Sequence, residues 1–157
     1  MRTISKRTQY GLKAMLALGR KYREGPILIG TLAREESIPV KFLEAILLDL
    51  KGRGILDSKL GRKGGYLLSR PPSAVTIGSI IRIMEGPLAP LPCASETAFK
   101  ACEECQDVEN CGTRIVMRRV RDAISDVLDR TTLADLLKQV DAGRAESNAH
   151  QPIMYHI

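Results

Sequence analysis

Residues 31–66 read TLAREESIPVKFLEAILLDLKGRGILDSKLGRKGGY, and this stretch decides the fold. Two apolar patterns of helical spacing lie here, separated by a turn at residues 37–39. The first pattern is Ile29, Leu32 and Ala33, and the second is Leu43, Ile46, Leu47 and Leu50. Pro39 suits the first turn of the second helix, where its missing N–H costs nothing. Gly52 and Gly54 end that helix, so the sequence predicts two short helices joined by a sharp turn.

A basic hairpin follows the two helices. Residues 55–60 are predicted to form a strand, residues 61–65 a turn, and residues 66–68 the returning strand. This order is typical of a winged helix-turn-helix, in which the second helix enters the major groove of DNA and the hairpin reaches the flanking backbone or minor groove. The alternative is an α+β domain that binds no nucleic acid, because short helix pairs also arise by chance. The predicted fold class is mainly α with a small β-hairpin wing, extended by a long dimerisation helix.

Charge is distributed unevenly along the chain. Residues 1–70 contain 15 Lys or Arg and 6 Asp or Glu, a net charge of +9. Residues 71–157 contain 9 and 12, a net charge of −3. The positive half is the half with the helix-turn-helix pattern, as neutralisation of DNA phosphates requires. This distribution favours double-stranded DNA as a partner over a merely solvated surface.

Length and composition limit the other possibilities. With 157 residues, the chain forms one domain or one domain with an extension. No apolar run approaches the roughly 20 residues of a membrane span, and residues 1–10 lack an apolar signal core. We therefore expect a cytoplasmic protein with no membrane partner. No catalytic constellation is visible, so we do not expect an enzyme.

The remaining patterns divide the chain into segments. A first helix is predicted over residues 5–22, and Thr76 is expected to cap a helix that carries Ile77, Ile80, Ile81 and Met84. The segments are 1–72 (winged helix-turn-helix domain), 73–92 (connecting helix and extended linker), 93–111 (cysteine-rich sensor loop), 112–140 (dimerisation helix and short last helix) and 141–157 (disordered tail). His150 and His156 lie in that tail, which argues against a ligand role for either.

A long helix is predicted from residue 112 to about residue 128. Its apolar residues are Ile115, Val116, Val120, Ala123, Ile124, Val127 and Leu128. A small winged domain has little surface to cover this stripe, so we interpret the helix as a dimerisation element that packs on a second copy. Packing back on the first helix is the alternative. Thr131, Thr132 and Asp135 resemble a capping box that opens a last short helix over residues 133–140.

All four cysteines of the chain lie within 19 positions: Cys93, Cys102, Cys105 and Cys111. In a cytoplasmic protein such clustering favours metal binding or redox sensing over structural disulfides. Thiolates suit an iron–sulfur cluster, can close a zinc tetrahedron, or can act as a thiol switch without metal. An electron-transfer protein is less consistent with the sequence, because no thioredoxin-like βαβ pattern surrounds the cysteines. Four arginines follow the loop and either offset thiolate charge or form a solvated helix face: Arg114, Arg118, Arg119 and Arg121.

Several short motifs occur together in one known family. They are the opening Met1-Arg2 with Ser5-Lys6, Tyr10, Ala14-Met15-Leu16, Gly25-Pro26, Phe42-Leu43-Glu44, Gly61, Gly64-Gly65-Tyr66-Leu67-Leu68, the cysteine loop, and Thr132-Leu133-Ala134-Asp135-Leu136. Over most of residues 1–140 the chain resembles the bacterial winged helix-turn-helix regulators that include IscR, NsrR and CymR, the Rrf-two type. The resemblance implies a homodimer of winged helices joined by a long crossed helix and bound to a pseudo-palindromic operator.

The resemblance also implies which residues contact DNA. They are Leu28, Lys41, Phe42, Glu44, Gly61, Arg62 and Lys63. Glu44 can accept a hydrogen bond from a cytosine amino group, and Lys41 can donate to guanine or to a phosphate. Arg62 and Lys63 are expected at the minor groove or the phosphates. Leu60 occupies the place of a wing arginine in IscR, so the basic contact is moved along the turn and we expect a different target sequence.

For the cysteine loop, the resemblance implies an iron–sulfur sensor. IscR and NsrR use three cysteines there, and the matching residues are Cys93, Cys105 and Cys111, while an insertion brings Cys102. Arg114 stands where IscR has a histidine, and Gln9 stands where NsrR-type proteins have an acidic ligand from the partner subunit. We therefore predict that all four thiols bind a cluster of two or four irons, with zinc as the alternative metal. CymR-type members, which sense through a partner protein, lack this cysteine set.

Overall fold

The structure is a computed structural model that describes residues 4–149, with side chains described as far as residue 146. Its elements are α1 (Lys6–Arg20), α2 (Ile29–Glu36), α3 (Val40–Gly52), β1 (Leu56–Lys59), β2 (Gly65–Leu68), α4 (Ile77–Glu85), α5 (Gly112–Arg130) and α6 (Leu133–Ala149), with 3-10 turns at Pro72–Ala74 and Pro92–Ala94. The predicted fold class, mainly α with a β-hairpin wing, is confirmed. Within the described range no helix is long and apolar enough to cross a membrane.

α1 is the helix against which much of the domain packs. Ser5 caps it, because the Ser5 Oγ accepts a hydrogen bond from the Thr8 amide at 3.2 Å. Its buried face includes Ala14, Met15 and Leu18 and lies against α2, α3, α4 and α6. The helix ends at Arg20, two residues before the predicted end at residue 22.

α2 and α3 form the helix-turn-helix. After α2, Ser37 adopts the left-handed conformation with φ +55°, which turns the chain towards α3. The residues predicted to face the core are all buried: Leu43, Ile46, Leu47 and Leu50. They hold α3 against α1, α2 and α4, so one face of α3 is fixed and the other is left exposed.

The wing is an antiparallel hairpin that runs from the pair Leu56–Leu68 to the pair Lys59–Gly65. A single residue of the preceding loop, Ile27, joins its edge, because Ile27 and Tyr66 exchange backbone hydrogen bonds of 2.8 and 2.9 Å. Gly65 permits this approach: its φ is +134°, and a Cβ there would lie 2.1 Å from the Ile27 carbonyl oxygen. The wing is therefore tied to the start of the helix-turn-helix.

The two predicted caps in the second half of the chain are confirmed. Thr76 Oγ1 accepts from the Ser79 amide at 3.1 Å and caps α4. Thr132 and Asp135 form a reciprocal capping box at the start of α6, with bonds of 3.0 and 3.1 Å. Between α4 and α5, Arg82 donates to Asp129 at 2.8 Å, and this hydrogen bond holds the pKa of Asp129 below its usual value. The pair fixes α5 to the winged domain.

The predicted end of the last helix is wrong. α6 does not stop at residue 140 but continues to Ala149, so residues 141–149 are helical and not a disordered tail. The segment is rich in helix formers such as Ala and Glu, and Arg20 of α1 forms an ion pair with Asp141 at 3.3 Å. Residues 150–157, which include His150 and His156, lie outside the described residues.

Candidate DNA-binding surface and cysteine loop

The exposed face of α3 carries the predicted base-reading residues. Lys41 and Glu44 are both exposed. Ala45 and Leu48 are exposed on the same face, at the spacing i, i+3, i+4 and i+7 from Lys41. The sequence reasoning missed these two small and apolar residues, although their spacing from Lys41 was a usable signal. Together the four side chains form one continuous row on a helix whose other side is anchored in the core.

Phe42 has a structural partner as well as an exposed surface. Its ring packs edge-on against Tyr10 of α1, with 5.8 Å between the ring centroids. Lys6 lies over the other ring of this pair, 5.9 Å from the Tyr10 centroid. Phe42 is still about half exposed, so it positions the first turn of α3 against α1 and leaves part of its ring on the predicted DNA side.

Leu28 is connected to the wing through its neighbour Ile27. Leu28 precedes α2 directly and is half exposed, and its neighbour Ile27 is bonded to β2. At the tip, Leu60 is fully exposed, and Gly61, Arg62 and Lys63 are exposed as well. The described part of the chain supplies no ion-pair partner for Arg62 or Lys63. The wing therefore presents an apolar side chain followed by two free cations.

The cysteine loop, residues 93–111, has both ends on α5. Cys93 lies in the turn Pro92–Ala94 and is only 5% exposed. Cys111 is the residue that precedes α5, and its carbonyl accepts from the Ile115 amide at 3.0 Å. Cys105 is half-buried and Cys102 is exposed, and all four are free thiols. One thiol is thus sheltered and the others are accessible to different degrees.

The loop brings Cys93 and Cys102 near one another. A hydrogen bond with the Cys93 thiol raises the pKa of Cys102, and the charges of Cys93 and, more weakly, Cys111 raise it further. Cys105 is connected to Cys102 through the backbone, its amide donating to the Cys102 carbonyl at 3.2 Å. Cys93 and Cys102 also line a cleft of about 220 Å³. Among residues 4–149, no three Cys, His, Asp or Glu side chains converge as in a closed metal site.

The two residues that replace family ligands are engaged elsewhere. Arg114 Nε donates to the Cys93 carbonyl at 3.0 Å, and its Nη1 donates to the Val108 carbonyl at 3.2 Å. Gln9 donates its side-chain amide to the Ile4 carbonyl at 3.3 Å. The Arg114 guanidinium has no lone pair for a metal, whereas the bond to Ile4 engages the Gln9 amide nitrogen and not its oxygen. The assignment of the thiols as ligands stays a prediction.

The arginines after the loop are of two kinds. Arg118 and Arg119 are exposed, as expected of a solvated helix face. Arg121 is 8% exposed, and its Nη1 donates to the Ala94 carbonyl at 2.7 Å. Arg114 is also largely buried. The interpretation as a solvated face is therefore wrong for Arg114 and Arg121, whose partners are carbonyl groups far away in sequence.

α5 carries an uncovered apolar stripe. Its members are Val116, Val120, Ile124 and Val127, and all four are exposed in the single chain. On its other side α5 packs mainly on α4 and on the turn at Pro92–Ala94, whereas α6 is the helix that packs on α1. Nothing within residues 4–149 covers the stripe, and its role in dimerisation stays a prediction.

The chain is similar in sequence to known regulators of transcription. The family Rrf2, described as iron-dependent transcriptional regulator, matches residues 4–139. An rrf2-like HTH-type transcriptional regulator of Rhodobacter capsulatus is 39% identical over 137 residues, covering 85% of this chain and 91% of that protein. The HTH-type regulator CymR of Bacillus subtilis is 36% identical over 138 residues, covering 88% and 91%.

Solved structures agree. The structure of B. subtilis CymR, described as the global cysteine regulator, has a TM-score of 0.72 at 34% identity and covers 88% of this chain and 98% of that one. The structure of T. potens IscR has a TM-score of 0.72 at 30% identity and covers 99% and 97%. These relatives are regulators of transcription, which confirms that the function is not enzymatic. The chain belongs to the Rrf2 family of DNA-binding transcriptional regulators.

Proposed function

We propose that the protein is a homodimer that binds a pseudo-palindromic operator in duplex DNA, and that an iron–sulfur cluster in the cysteine loop sets its affinity for that operator. The observation that carries the proposal is the attachment of both ends of the loop to α5, the helix with the uncovered apolar stripe. A ligand held by the loop would thus act on the helix that joins the two copies.

The DNA part of the proposal rests on α3 and the wing. Glu44 is assigned to a cytosine amino group, and Lys41 to guanine or a phosphate, because both side chains are exposed on one face of an anchored helix. Arg62 and Lys63 are assigned to phosphates or the minor groove beside the site. Leu28, Phe42 and Gly61 complete the proposed interface near the backbone, as the resemblance implies.

The base-reading residues give the first prediction. Lys41→Ala and Glu44→Ala are each expected to change the preferred operator sequence and to cost about 1–3 kcal/mol on the wild-type operator, if the contact to a base is direct. Selection from a random duplex library, followed by titration of the winning sequences, measures both effects. Lys138→Ala and Glu146→Ala, exposed on α6, are controls that should leave the preference unchanged. Unaltered base preference in both α3 variants would contradict the assignment.

The wing gives the second prediction. Arg62→Ala combined with Lys63→Ala is expected to weaken binding to all duplex sequences alike and to reduce the salt slope by about 1 for each phosphate that is no longer neutralised. Binding is measured from low to moderate salt on operator and on unrelated DNA. The control is Arg118→Ala with Lys138→Ala, which removes the same charge from α5 and α6. If both pairs change the slope equally, the effect is general charge and the assignment of the wing to the phosphates is refuted.

The donor set fits a metal group bound by thiolates. Iron–sulfur clusters are held mainly by cysteine, the loop offers four thiols, and the Arg114 guanidinium is bonded to carbonyl groups. A bound cluster would supply a redox-active, oxygen-sensitive group whose presence reports the state of iron or oxidants. Zinc is the alternative metal, since four thiolates can also close a tetrahedron. The description of the family as iron-dependent and the likeness to IscR favour iron.

A metal-free thiol switch is the second candidate, favoured by the position of Cys93 and Cys102 in the lining of one cleft. In that case the two thiols would form a disulfide, giving up two protons and two electrons to a hydroperoxide, which is reduced to an alcohol and one water molecule. Purification without oxygen, followed by an absorption spectrum and analysis for iron, sulfide and zinc, separates the candidates. Iron and sulfide in similar amounts support the cluster, zinc supports the alternative metal, and a metal-free protein that still responds to peroxide supports the switch.

A further inference from the structure

We infer that Arg114 and Arg121 act as a clamp that docks the Cys93 turn on α5, so that the conformation of the cysteine loop and the position of α5 change together. The two residues are called the arginine clamp below. The inference rests on the proposed function in one respect, the identity of the group that the loop holds. It concerns positioning residues, because neither guanidinium is assigned as a ligand.

The two arginines of the clamp donate hydrogen bonds to consecutive carbonyl groups of one turn. Arg114 Nε donates to the carbonyl of Cys93 at 3.0 Å, and Arg121 Nη1 donates to the carbonyl of Ala94 at 2.7 Å. The two arginines are seven residues apart and so lie on the same face of α5, two turns from each other. Two donors on one rigid helix thus fix both the position and the orientation of the turn that carries the sheltered thiol.

Arg114 also closes the loop. Its Nη1 donates to the Val108 carbonyl at 3.2 Å, its guanidinium lies 5.6 Å from the centroid of the Phe99 ring, and it pairs with Glu109 at 3.5 Å. One side chain therefore bonds to both arms of the loop, near Cys93 on one side and near Cys111 on the other. Because an arginine fork has several donors in fixed directions, a shorter or neutral side chain cannot make the same set.

The burial of Arg121 favours the docked position of the turn. Arg121 is 8% exposed, and its other donors bond to the carboxylates of Asp122 at 2.8 Å and Glu96 at 3.1 Å. A buried guanidinium that loses its acceptors is strongly unfavourable. If the turn moved away from α5, Arg121 would lose the Ala94 carbonyl and the Glu96 carboxylate together and keep only Asp122, so undocking of the turn is unfavourable.

α5 is in turn fixed to the DNA-binding part. Arg82 of α4 bonds to Asp129 of α5, and α4 packs on both α1 and α3. A displacement of the loop therefore has a continuous path of packed and hydrogen-bonded groups to the recognition helix and to the dimer stripe. In the absence of the clamp, we expect the loop to change state without moving α5.

The test uses the full-length chain, reduced and freed of metal, and measures alkylation of each cysteine by iodoacetamide. In Arg114→Gln we expect Cys93 to react at least about tenfold faster, because its shelter opens more often. Loss of a positive charge alone would slow the reaction by disfavouring the thiolate, so acceleration reports opening of the turn. Hydrogen exchange in the first turns of α5 should rise in the same variant.

Controls and a second variant decide the outcome. Arg118→Gln removes the same charge from an exposed position on α5 and should change neither rate. Arg121→Lys keeps the charge and loses the fork, and should behave like Arg114→Gln if positioning is the role; circular dichroism establishes that each variant is folded. Unchanged Cys93 alkylation and unchanged α5 exchange in both clamp variants overturn the inference.

The DNA readout separates this inference from the proposed function. In the wild type, operator affinity is compared with the cluster bound and removed; in the folded clamp variants we expect that ratio to shrink towards one. A wild-type ratio retained in full by Arg114→Gln and Arg121→Lys overturns the coupling. A wild type that takes no cluster refutes the proposed function, and the clamp then stands or falls on alkylation and exchange alone.

Discussion

A chain carrying Ile124→Glu and Val127→Glu is expected to be monomeric at micromolar concentration and to lose operator binding. Both side chains are exposed in the single chain, Val127 by 64%, so the substitutions leave the core of the winged domain intact. In the proposed dimer they would bury two unpaired carboxylates per copy, each costing about 3–5 kcal/mol. Because about 1.4 kcal/mol is tenfold, association should weaken by more than about a thousandfold. Light scattering measures the mass, and a gel-shift titration measures the affinity.

The control is Arg118→Glu, which changes the net charge by the same two units. Arg118 is two residues from Val116 and from Val120, so it lies on the opposite side of α5 from the stripe. This variant should remain dimeric and keep most of its operator affinity. A wild-type chain that is monomeric at micromolar concentration, or a double-glutamate variant that remains dimeric, would show that the stripe has another occupant.

Local patterns predicted most of the winged domain. The buried side of α3 followed from the helical spacing of Leu43, Ile46, Leu47 and Leu50, because burial of an apolar stripe is what stabilises a helix of this length. The capping box at Thr132 and Asp135 and the cap at Thr76 were equally local, since each involves atoms three residues apart. These features depend on neighbours in sequence, and the structure confirms them.

Features that do not depend on a regular spacing of apolar residues could not be predicted. Residues 141–149 continue α6 without an apolar stripe, so an amphipathic pattern could not detect them, although Ala and Glu favour a helix there. The burial of Arg121 depends on a carbonyl 27 residues earlier, and that of Arg114 on a carbonyl 21 residues earlier. An arginine normally indicates a solvated face, and only the fold of the turn at Pro92–Ala94 reverses that expectation.

The cysteine loop could be predicted from the sequence only in part. The clustering of the four thiols is visible in the sequence. The structure adds that Cys93 is buried, that Cys102 is exposed and that the two line one cleft. The same structure gives the Arg114 guanidinium a carbonyl partner and gives the Gln9 amide nitrogen another, which leaves the Gln9 oxygen unengaged by that bond. For the proposed cluster, the two hypotheses are four thiolate ligands, or three thiolates with an oxygen ligand.

Single Cys→Ala variants purified without oxygen distinguish four thiolate ligands from three. We expect each of the four variants to lose the cluster completely. If all four thiols are ligands, Cys93→Ala, Cys102→Ala, Cys105→Ala and Cys111→Ala should each lack the visible absorption, the iron and the sulfide that the wild type carries. Cys102 is the informative member, because the resemblance implies that an insertion brings this thiol and because it lines the same cleft as Cys93. Loss of the group should also abolish the difference in operator affinity between loaded and metal-free protein.

Glu103→Gln and Glu104→Gln are the matched controls, since these exposed carboxylates lie between Cys102 and Cys105 in the sequence and are candidate oxygen ligands. Both should keep a full cluster with an unchanged spectrum. If Cys102→Ala keeps the cluster while either glutamine variant or Gln9→Ala loses it, an oxygen ligand completes the site and the four-thiolate hypothesis is wrong. If the wild type contains zinc and all four alanine variants bind the operator normally, the loop is a structural metal site. The sensing function then has to be sought outside the cysteines, with the winged DNA-binding domain left unaffected.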